Sequence, residues 1–238
     1  MTFLYEKLDT LNSAGFCKEF PKFIEENLTT SLELRAYQKK AFQNFVTYYE
    51  NDNLRNQGNN CPLQVLFHMA TGSGKTVIMA GLIIYLYSRG YRNFLFFVNS
   101  DNIIKKTKEN FLNATSSKYL FNNSINIDGT YIKIREVDNF QDTNADDINI
   151  CFTTIQGLHT KLTTIYENSV TFDDFRDKKV VFIADEAHHL NVETRKKGKN
   201  NINEPNWENT VGTIFKSNVD NVLLEFTATC DLENQTIK

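Results

Sequence analysis

The sequence has few cysteines, and their spacing does not suit a metal site or a disulfide framework. Cys17, Cys61, Cys151 and Cys230 are far apart, and none of them belongs to a C-x-x-C pair or to a His/Cys cluster. Such spacing is typical of reduced thiols inside the cell and not of a zinc site or a secreted domain. We therefore expect a cytoplasmic protein whose thiols are mostly buried.

The chain also lacks a long apolar run and an excess of positive charge. Its longest apolar stretches are too short to cross a bilayer, and its N-terminus, MTFLYEKLDT, carries acidic residues instead of the apolar segment of a signal peptide. We expect no membrane contact. The formal net charge is −3, so any contact with nucleic acid must come from a local patch.

Hydrophobic residues make up 41% of the 238 residues, which is enough for one large domain or for one domain with an appendage. Apolar runs typical of buried strands occur at 63–69, 93–98, 148–152, 179–184 and 221–226, and an alternating strand pattern at 131–137. Helical patterns lie between them, whereas residues 113–130 are Asn/Ser-rich and are expected to be irregular. The alternation predicts an α/β fold with a mostly parallel sheet and helices on both faces. Residues 1–33 are predicted to form a helical extension, and residues 34–238 the main domain.

The stretch at 63–76, LQVLFHMATGSGKT, predicts a strand, a glycine turn and the start of a helix. Such a turn surrounds one concavity with backbone N–H groups and the positive end of a helix dipole, which suits an anion. Within the turn, Thr71, Gly72, Ser73 and Gly74 would cradle a polyphosphate closely.

The two residues after the turn complete a phosphate-binding pattern. Lys75 would reach the β- and γ-phosphates, and the Thr76 hydroxyl would bind Mg²⁺. The pattern G-x-x-x-x-G-K-[ST] is incomplete, since Met69 holds its first position. A glycine loop with a surface lysine is the alternative.

Two adjacent carboxylates, Asp185 and Glu186, follow the predicted strand at 179–184. Negative charges at the end of an apolar strand need a cation, and Mg²⁺ held with a triphosphate would supply it. Asp185 would orient the hydrated metal, and Glu186 would orient or deprotonate the attacking water. Since parallel strands end at one edge of a sheet, we expect both carboxylates to lie near Lys75. His188 could then link this site to a neighbouring segment through a hydrogen bond.

Short polar side chains follow two further predicted strands. Asn99 and Ser100 follow the strand at 93–98, and Thr153 and Thr154 follow the strand at 148–152. At the carboxyl ends of parallel strands they suit contacts with a nucleic-acid backbone. Helix capping explains Ser100, Thr153 and Thr154 equally well. On the helix predicted near residue 38, Gln38 suits the N6/N7 edge of adenine because an amide both donates and accepts, although a solvated glutamine is the ordinary alternative.

The ordered set LRAYQ, ATGSGKT, FFVNS, FTTIQG, DEAHH and FTATC resembles the amino-terminal motor domain of superfamily-two helicases and translocases, from Leu34 to Thr229. The resemblance implies a RecA-like P-loop domain that uses ATP and Mg²⁺ to move on nucleic acid. It also implies that Gln38 reads adenine, with Arg35 beside it in the same motif. Thr227 and Thr229 match the family's coupling motif, with His188 as their partner. The residue pairs at 99–100 and 153–154 match the positions at which the family contacts the backbone of the nucleic-acid strand.

Within this superfamily, MATGSGKT combined with DEAHH is most similar to the helicase (Res) subunit of type III restriction enzymes. A DEAD-box RNA helicase would carry Asp where His188 stands. DNA is therefore a more fitting partner than RNA. The resemblance also implies a second motor domain, a nuclease domain and a modification or specificity subunit as further parts of the protein. Because the second motor domain supplies arginines to the nucleotide, we expect the isolated domain to be a weak ATPase. A nucleotide-dependent interaction module, an RNA helicase and a small-molecule kinase remain as alternatives.

Overall fold

The computed structural model describes residues 3–56, 62–141, 143–164, 170–187 and 207–229. Helices and strands are numbered in chain order within these ranges. The helices are α1 Leu4–Ser13, α2 Lys22–Glu26, α3 Ala36–Tyr49, α4 Asp52–Asn56, α5 Lys75–Ser88, α6 Asp101–Leu112, α7 Ile155–Thr163, α8 Phe172–Asp177 and α9 Trp207–Lys216. The strands are β1 Leu63–His68, β2 Asn93–Val98, β3 Ile125–Ile127, β4 Thr130–Ile132, β5 Ile134–Glu136, β6 Ile148–Thr154, β7 Val180–Asp185 and β8 Val222–Thr227.

Six of these strands form one sheet in the order β1-β8-β7-β2-β6-β5, and every pairing in it is parallel. β3 and β4 form a separate antiparallel pair. Because the six strands run in one direction, their carboxyl ends meet at a single edge of the sheet. The predicted mostly parallel sheet is confirmed.

The four central strands β8, β7, β2 and β6 are buried on both faces, as their unbroken apolar runs require. Phe94 and Phe96 of β2 lie in a cluster with residues of α3, α5 and α6, while the alternate residues Leu95 and Phe97 lie in a second cluster with residues of α7, α8 and α9. This alternation follows from the two-residue period of a strand. The prediction of helices on both faces is therefore confirmed.

The predicted N-terminal extension contains α1 and α2, and α2 begins directly after Pro21. Both helices pack into the cluster on the first face through Leu8 and Ile24, which are 5% and 0% exposed. Asn27 adds polar contacts, since its Nδ2 donates to Asn126 O at 2.9 Å and its Oδ1 accepts from Asn126 N at 2.7 Å. Residues on both sides of the predicted division at 33 thus share one core, while the division itself stays a prediction.

The prediction of one strand at 131–137 is wrong. The segment forms two strands, β4 and β5, which belong to different sheets. At Lys133, between them, the backbone N–H donates to Asp147 Oδ1 at 3.0 Å instead of to a strand neighbour. The prediction of irregular structure over 113–130 is also wrong in part, because β3 lies there. In the part of the chain that the structure describes, no helix has the length and apolar character needed to cross a bilayer.

Candidate nucleotide site

The glycine loop connects β1 to α5 at the carboxyl edge of the sheet. Met69, directly after β1, donates its N–H to Thr227 O of β8 at 2.9 Å. Gly74 caps α5 in the left-handed conformation, with φ 83° and ψ 38°. A Cβ on Gly74 would also lie 2.5 Å from Gln38 Nε2. The backbone angle therefore requires glycine, and any side chain here would also displace the Gln38 amide.

Lys75 and Thr76 occupy the first turn of α5, and both are half-buried. The Lys75 ammonium donates to Met69 O at 3.4 Å, so the side chain folds back over the loop. The residues that follow, from Val77 to Tyr87, are all buried. Burial of almost the whole helix holds its N-terminus, and hence the loop, in a fixed place against the sheet.

The acidic pair lies at the same edge of the sheet. Asp185 is the last residue of β7, and Glu186 follows it with φ 56°. A glutamate in the left-handed region stores strain of about 1–3 kcal/mol, which is characteristic of functional sites. Two backbone N–H groups hold the turn, since Glu186 N donates to the Asp185 side chain at Oδ1, 3.0 Å away, and Ala187 N donates to Phe226 O of β8 at 2.9 Å.

The electrostatics of Asp185 connect the acidic pair to the glycine loop. Burial raises the pKa of Asp185, the Glu186 N–H bond and the Lys75 ammonium lower it, and the Glu186 charge raises it further. The net pKa lies above its ordinary value because burial has the largest effect. The acidic turn and the glycine loop bond to neighbouring carbonyls of β8, Phe226 O and Thr227 O, so the two motifs share one site.

Gln38 lies against the loop and is 4% exposed. Its Nε2 donates to Ser73 O at 3.1 Å, and its Oε1 accepts from Arg35 N at 2.9 Å. Tyr37 also donates its hydroxyl to Ser73 O, at 2.8 Å, while Arg35 Nη1 donates to the Tyr37 hydroxyl at 3.2 Å. Sequence reasoning missed Tyr37, since an aromatic residue beside a glutamine carries no signal of this contact.

The residues predicted to contact nucleic acid lie at the ends of two neighbouring strands: Asn99 and Ser100 follow β2, whereas Thr153 and Thr154 are the last two residues of β6. Val98 of β2 pairs with Thr154 of β6, so all four residues lie at the carboxyl edge of the sheet. Thr154 Oγ1 accepts from Gly157 N at 2.9 Å and caps α7, which confirms the capping interpretation for Thr154.

The other three side chains differ in exposure. Thr153 is 5% exposed and donates to Thr154 O at 3.1 Å. Ser100 holds the N-cap position of α6 without a side-chain capping bond, and Asn99 is exposed.

Thr227 and Thr229 form a local turn at the end of β8. The Thr227 hydroxyl donates to Thr229 O at 2.8 Å and accepts from Thr229 N at 3.1 Å. Thr227 thus lies one strand away from both the glycine loop and the acidic pair. Its predicted partner, His188, lies outside the described residues.

No group of three or more His, Cys, Asp and Glu side chains is arranged to hold a metal ion within the described ranges. Cys17 and Cys151 are free thiols, whereas Cys61 and Cys230 lie outside those ranges. Mg²⁺ bound with a nucleotide needs fewer protein ligands, because phosphate oxygens and water complete its coordination. The hydroxyl of Thr76 and the desolvated carboxyl of Asp185 fit that requirement.

The parallel sheet, the glycine loop after β1 and the acidic pair on the same edge define a RecA-like P-loop α/β domain. A family model described as type III restriction enzyme, res subunit, matches residues 31–232. The probable type III restriction-modification enzyme HindVIP Res subunit of Haemophilus influenzae is 40% identical over 230 residues, which cover 88% of this chain and 44% of that protein. The chain belongs to the type III restriction enzyme Res subunit family, and it spans less than half the length of this curated relative.

Two solved structures show weaker likeness. The Sulfolobus solfataricus SWI2/SNF2 ATPase core in complex with dsDNA has a TM-score of 0.43 and 14% identity, covering 87% of this chain and 34% of that one. A nuclease-deletion mutant of the type ISP restriction-modification enzyme LlaGI, in complex with a DNA substrate mimic, has a TM-score of 0.40 and 18% identity. The match covers 86% of this chain and 19% of that one. The family assignment rests on the family model and the curated relative, and not on these likenesses.

Proposed function

We propose that this domain binds ATP with Mg²⁺ and hydrolyses it to drive movement on DNA, as the helicase part of a type III-like restriction enzyme. The observation that carries the proposal is that the glycine loop and the acidic turn bond to neighbouring carbonyls of β8, Met69 N to Thr227 O and Ala187 N to Phe226 O, both at 2.9 Å. It brings together the residue expected to hold the phosphates and the residue expected to hold the metal. A module that only bound a nucleotide would not need the strained Glu186 beside them.

Nucleotide binding begins with the loop at Thr71, Gly72, Ser73 and Gly74. Its N–H groups and the N-terminus of α5 favour negative charge, and Lys75 adds a positive charge at the same place. We propose that Gln38, with Arg35 next to it, lies at the adenine edge. In this structure both polar ends of Gln38 bond to the protein, so reading adenine would require the amide to share or exchange these bonds.

Thr76 and Asp185 are the proposed ligands of Mg²⁺. Held by these two side chains, Mg²⁺ would neutralise negative charge that develops on the phosphates during transfer. Burial of Asp185 makes a nearby cation more stabilising, since the carboxylate has lost part of its hydration. Glu186 would orient the attacking water or accept its proton. The left-handed backbone of Glu186 turns the chain away from β7 directly after the metal ligand.

Nucleic acid would lie along the same edge of the sheet, over β2 and β6. Asn99, Ser100, Thr153 and Thr154 are the proposed contacts to phosphates, and Asn99 is the most exposed of them. Because Thr154 already caps α7, its contribution would come through the N-terminus of that helix as much as through its hydroxyl.

Thr227, Thr229 and His188 are proposed to couple hydrolysis to this movement. The name of the curated relative, a restriction-modification enzyme, favours DNA over RNA as the partner. Its greater length leaves room for a second motor domain and a nuclease domain. We propose both as further parts of the full-length protein, which would work together with a modification or specificity subunit.

The test is ATP hydrolysis by the longest natural form of the protein, with duplex DNA, single-stranded DNA, RNA or no nucleic acid. We expect DNA to stimulate turnover. Glu186→Gln should lower turnover by roughly 100-fold or more while ATP still binds, because only the positioning of water is lost. Lys75→Ala should weaken ATP binding itself. Lys118→Ala, which removes an exposed lysine remote from the site in sequence, is the matched control and should behave like the wild type.

Two results would contradict the proposal. If ATP binds but no nucleic acid stimulates turnover, a nucleotide-dependent interaction module is the better description. If RNA stimulates turnover and DNA does not, the protein is an RNA helicase.

A further inference from the structure

Two side chains of α3 donate to one carbonyl of the glycine loop. The Tyr37 hydroxyl lies 2.8 Å from Ser73 O, and Gln38 Nε2 lies 3.1 Å from the same oxygen. Arg35 Nη1 in turn donates to the Tyr37 hydroxyl at 3.2 Å. A hydroxyl that accepts from a cationic donor is polarised and donates more strongly. The Ser73 carbonyl is therefore anchored to α3 from two sides.

Anchoring this carbonyl also fixes an N–H group. The carbonyl of Ser73 and the N–H of Gly74 belong to one planar trans peptide and point in opposite directions. Holding Ser73 O against α3 thus makes Gly74 N–H point away from α3. Gly74 needs such a restraint, because a glycine with φ 83° has no side chain to limit its rotation.

We propose that Tyr37 is a positioning residue for the triphosphate. Its hydroxyl, together with the Gln38 amide, holds the Ser73–Gly74 peptide so that Gly74 N–H is already oriented towards a phosphate oxygen before ATP binds. The inference rests on the proposed function and names a residue that acts through the loop without touching the base. The effect of Tyr37 should therefore be independent of the base that the nucleotide carries.

The test compares three ligands in the presence of Mg²⁺, namely ATP, GTP and inorganic tripolyphosphate, by isothermal titration calorimetry on the longest natural form of the protein. Tyr37→Phe keeps the ring and removes the hydroxyl. We expect about three- to tenfold weaker binding of all three ligands alike, the value of one hydrogen bond. Tyr131→Phe makes the same chemical change at a 73% exposed position on β4, and it should bind each ligand as the wild type does.

Tyr37 is 43% exposed, so the variant is expected to fold, which far-UV circular dichroism would check. Gln38→Met, which removes the second donor to the same carbonyl, provides the same comparison independently. Gln38→Met should also weaken tripolyphosphate binding. The fold-loss of affinity in the double variant Tyr37→Phe/Gln38→Met should be smaller than the product of the two single fold-losses, since both side chains act on one peptide.

The outcomes separate this inference from the proposed function. If the wild type binds no ATP, the proposed function fails. If the wild type binds ATP and Tyr37→Phe binds all three ligands unchanged, the positioning role is refuted. A loss confined to ATP would refute it as well, because Tyr37 would then recognise the base.

Discussion

Replacing Gly81 with alanine tests the packing between the N-terminal helices and α5. Gly81 lies in the middle of α5, where a Cβ would meet Phe42 Cζ at 2.4 Å, Phe42 Cε1 at 2.6 Å and Ile24 Cγ2 at 2.9 Å. Phe42 and Ile24 are both 0% exposed, so neither side chain can move into solvent. The helices α2 and α3 approach α5 this closely because residue 81 has no side chain.

Two effects of Gly81→Ala oppose each other. Alanine is about 1 kcal/mol more favourable than glycine inside a helix. Forcing one methyl group into a close-packed core costs about 1–3 kcal/mol, because carbon atoms prefer separations of about 3.5–4.0 Å. We expect the steric cost to prevail and to lower the free energy of unfolding by about 1 kcal/mol, which lowers Tm by about 2–4 °C for a chain of this size.

Gly212→Ala is the matched control. Gly212 lies inside α9, and a Cβ there would have no atom within 4 Å. This variant should gain the helix preference without the steric cost and be more stable than the wild type. Urea unfolding of both variants measures their free energies of unfolding. Adding Phe42→Leu to Gly81→Ala should relieve part of the steric cost. If Gly81→Ala is as stable as Gly212→Ala, the close approach of α2 and α3 to α5 is wrong.

Two further predictions concern Asn221, which directly precedes β8, and Glu225 within it. Asn221 is 1% exposed, accepts a hydrogen bond from Val180 N at 2.8 Å and donates to carbonyls of α9, so Asn221→Ala should lower the free energy of unfolding by about 2–4 kcal/mol. Urea unfolding measures this free energy. A loss below about 0.5 kcal/mol would contradict the prediction. Burial raises the pKa of Glu225, and the hydrogen bond from the Gln64 amide offsets only part of this rise. The folded state therefore binds the Glu225 proton more tightly than the unfolded state does. As a result, the folded state loses stability as the pH rises above the ordinary pKa of 4.5. Glu225→Gln should therefore have a higher Tm than the wild type at pH 7.5, and this difference should shrink towards pH 4 in thermal scans. Hydrogen bonds lower the pKa of Glu109, so Glu109→Gln should show the opposite sign, and equal signs for both variants would refute the argument.

The phosphate loop and the acidic pair could be located from the sequence because each is a run of adjacent residues. A strand followed by Gly72, Gly74 and Lys75 predicts its own local geometry, and two carboxylates after an apolar strand predict a cation. The parallel sheet followed from the same runs, since buried parallel strands are apolar throughout.

Contacts between distant segments could not be predicted in this way. Tyr37 and Ser73 are 36 positions apart, and their bond depends on how α3 packs beside α5. Likewise, the segment at 131–137 shows a strand pattern but divides at Lys133, because Asp147 binds the backbone there. Local alternation carries no information about which sheet a strand joins.

β8 sets the width of the nucleotide site. It pairs with β1 on one side and with β7 on the other, and its last carbonyls accept Met69 N and Ala187 N, both at 2.9 Å. Neighbouring strands lie about 4.8 Å apart, so the entrances to the loop and to the acidic turn are separated by about 10 Å of backbone. Core side chains on either face can change without altering this width. An insertion of one residue within β8 would exchange its two faces and move both motifs out of register, even though neither motif had changed.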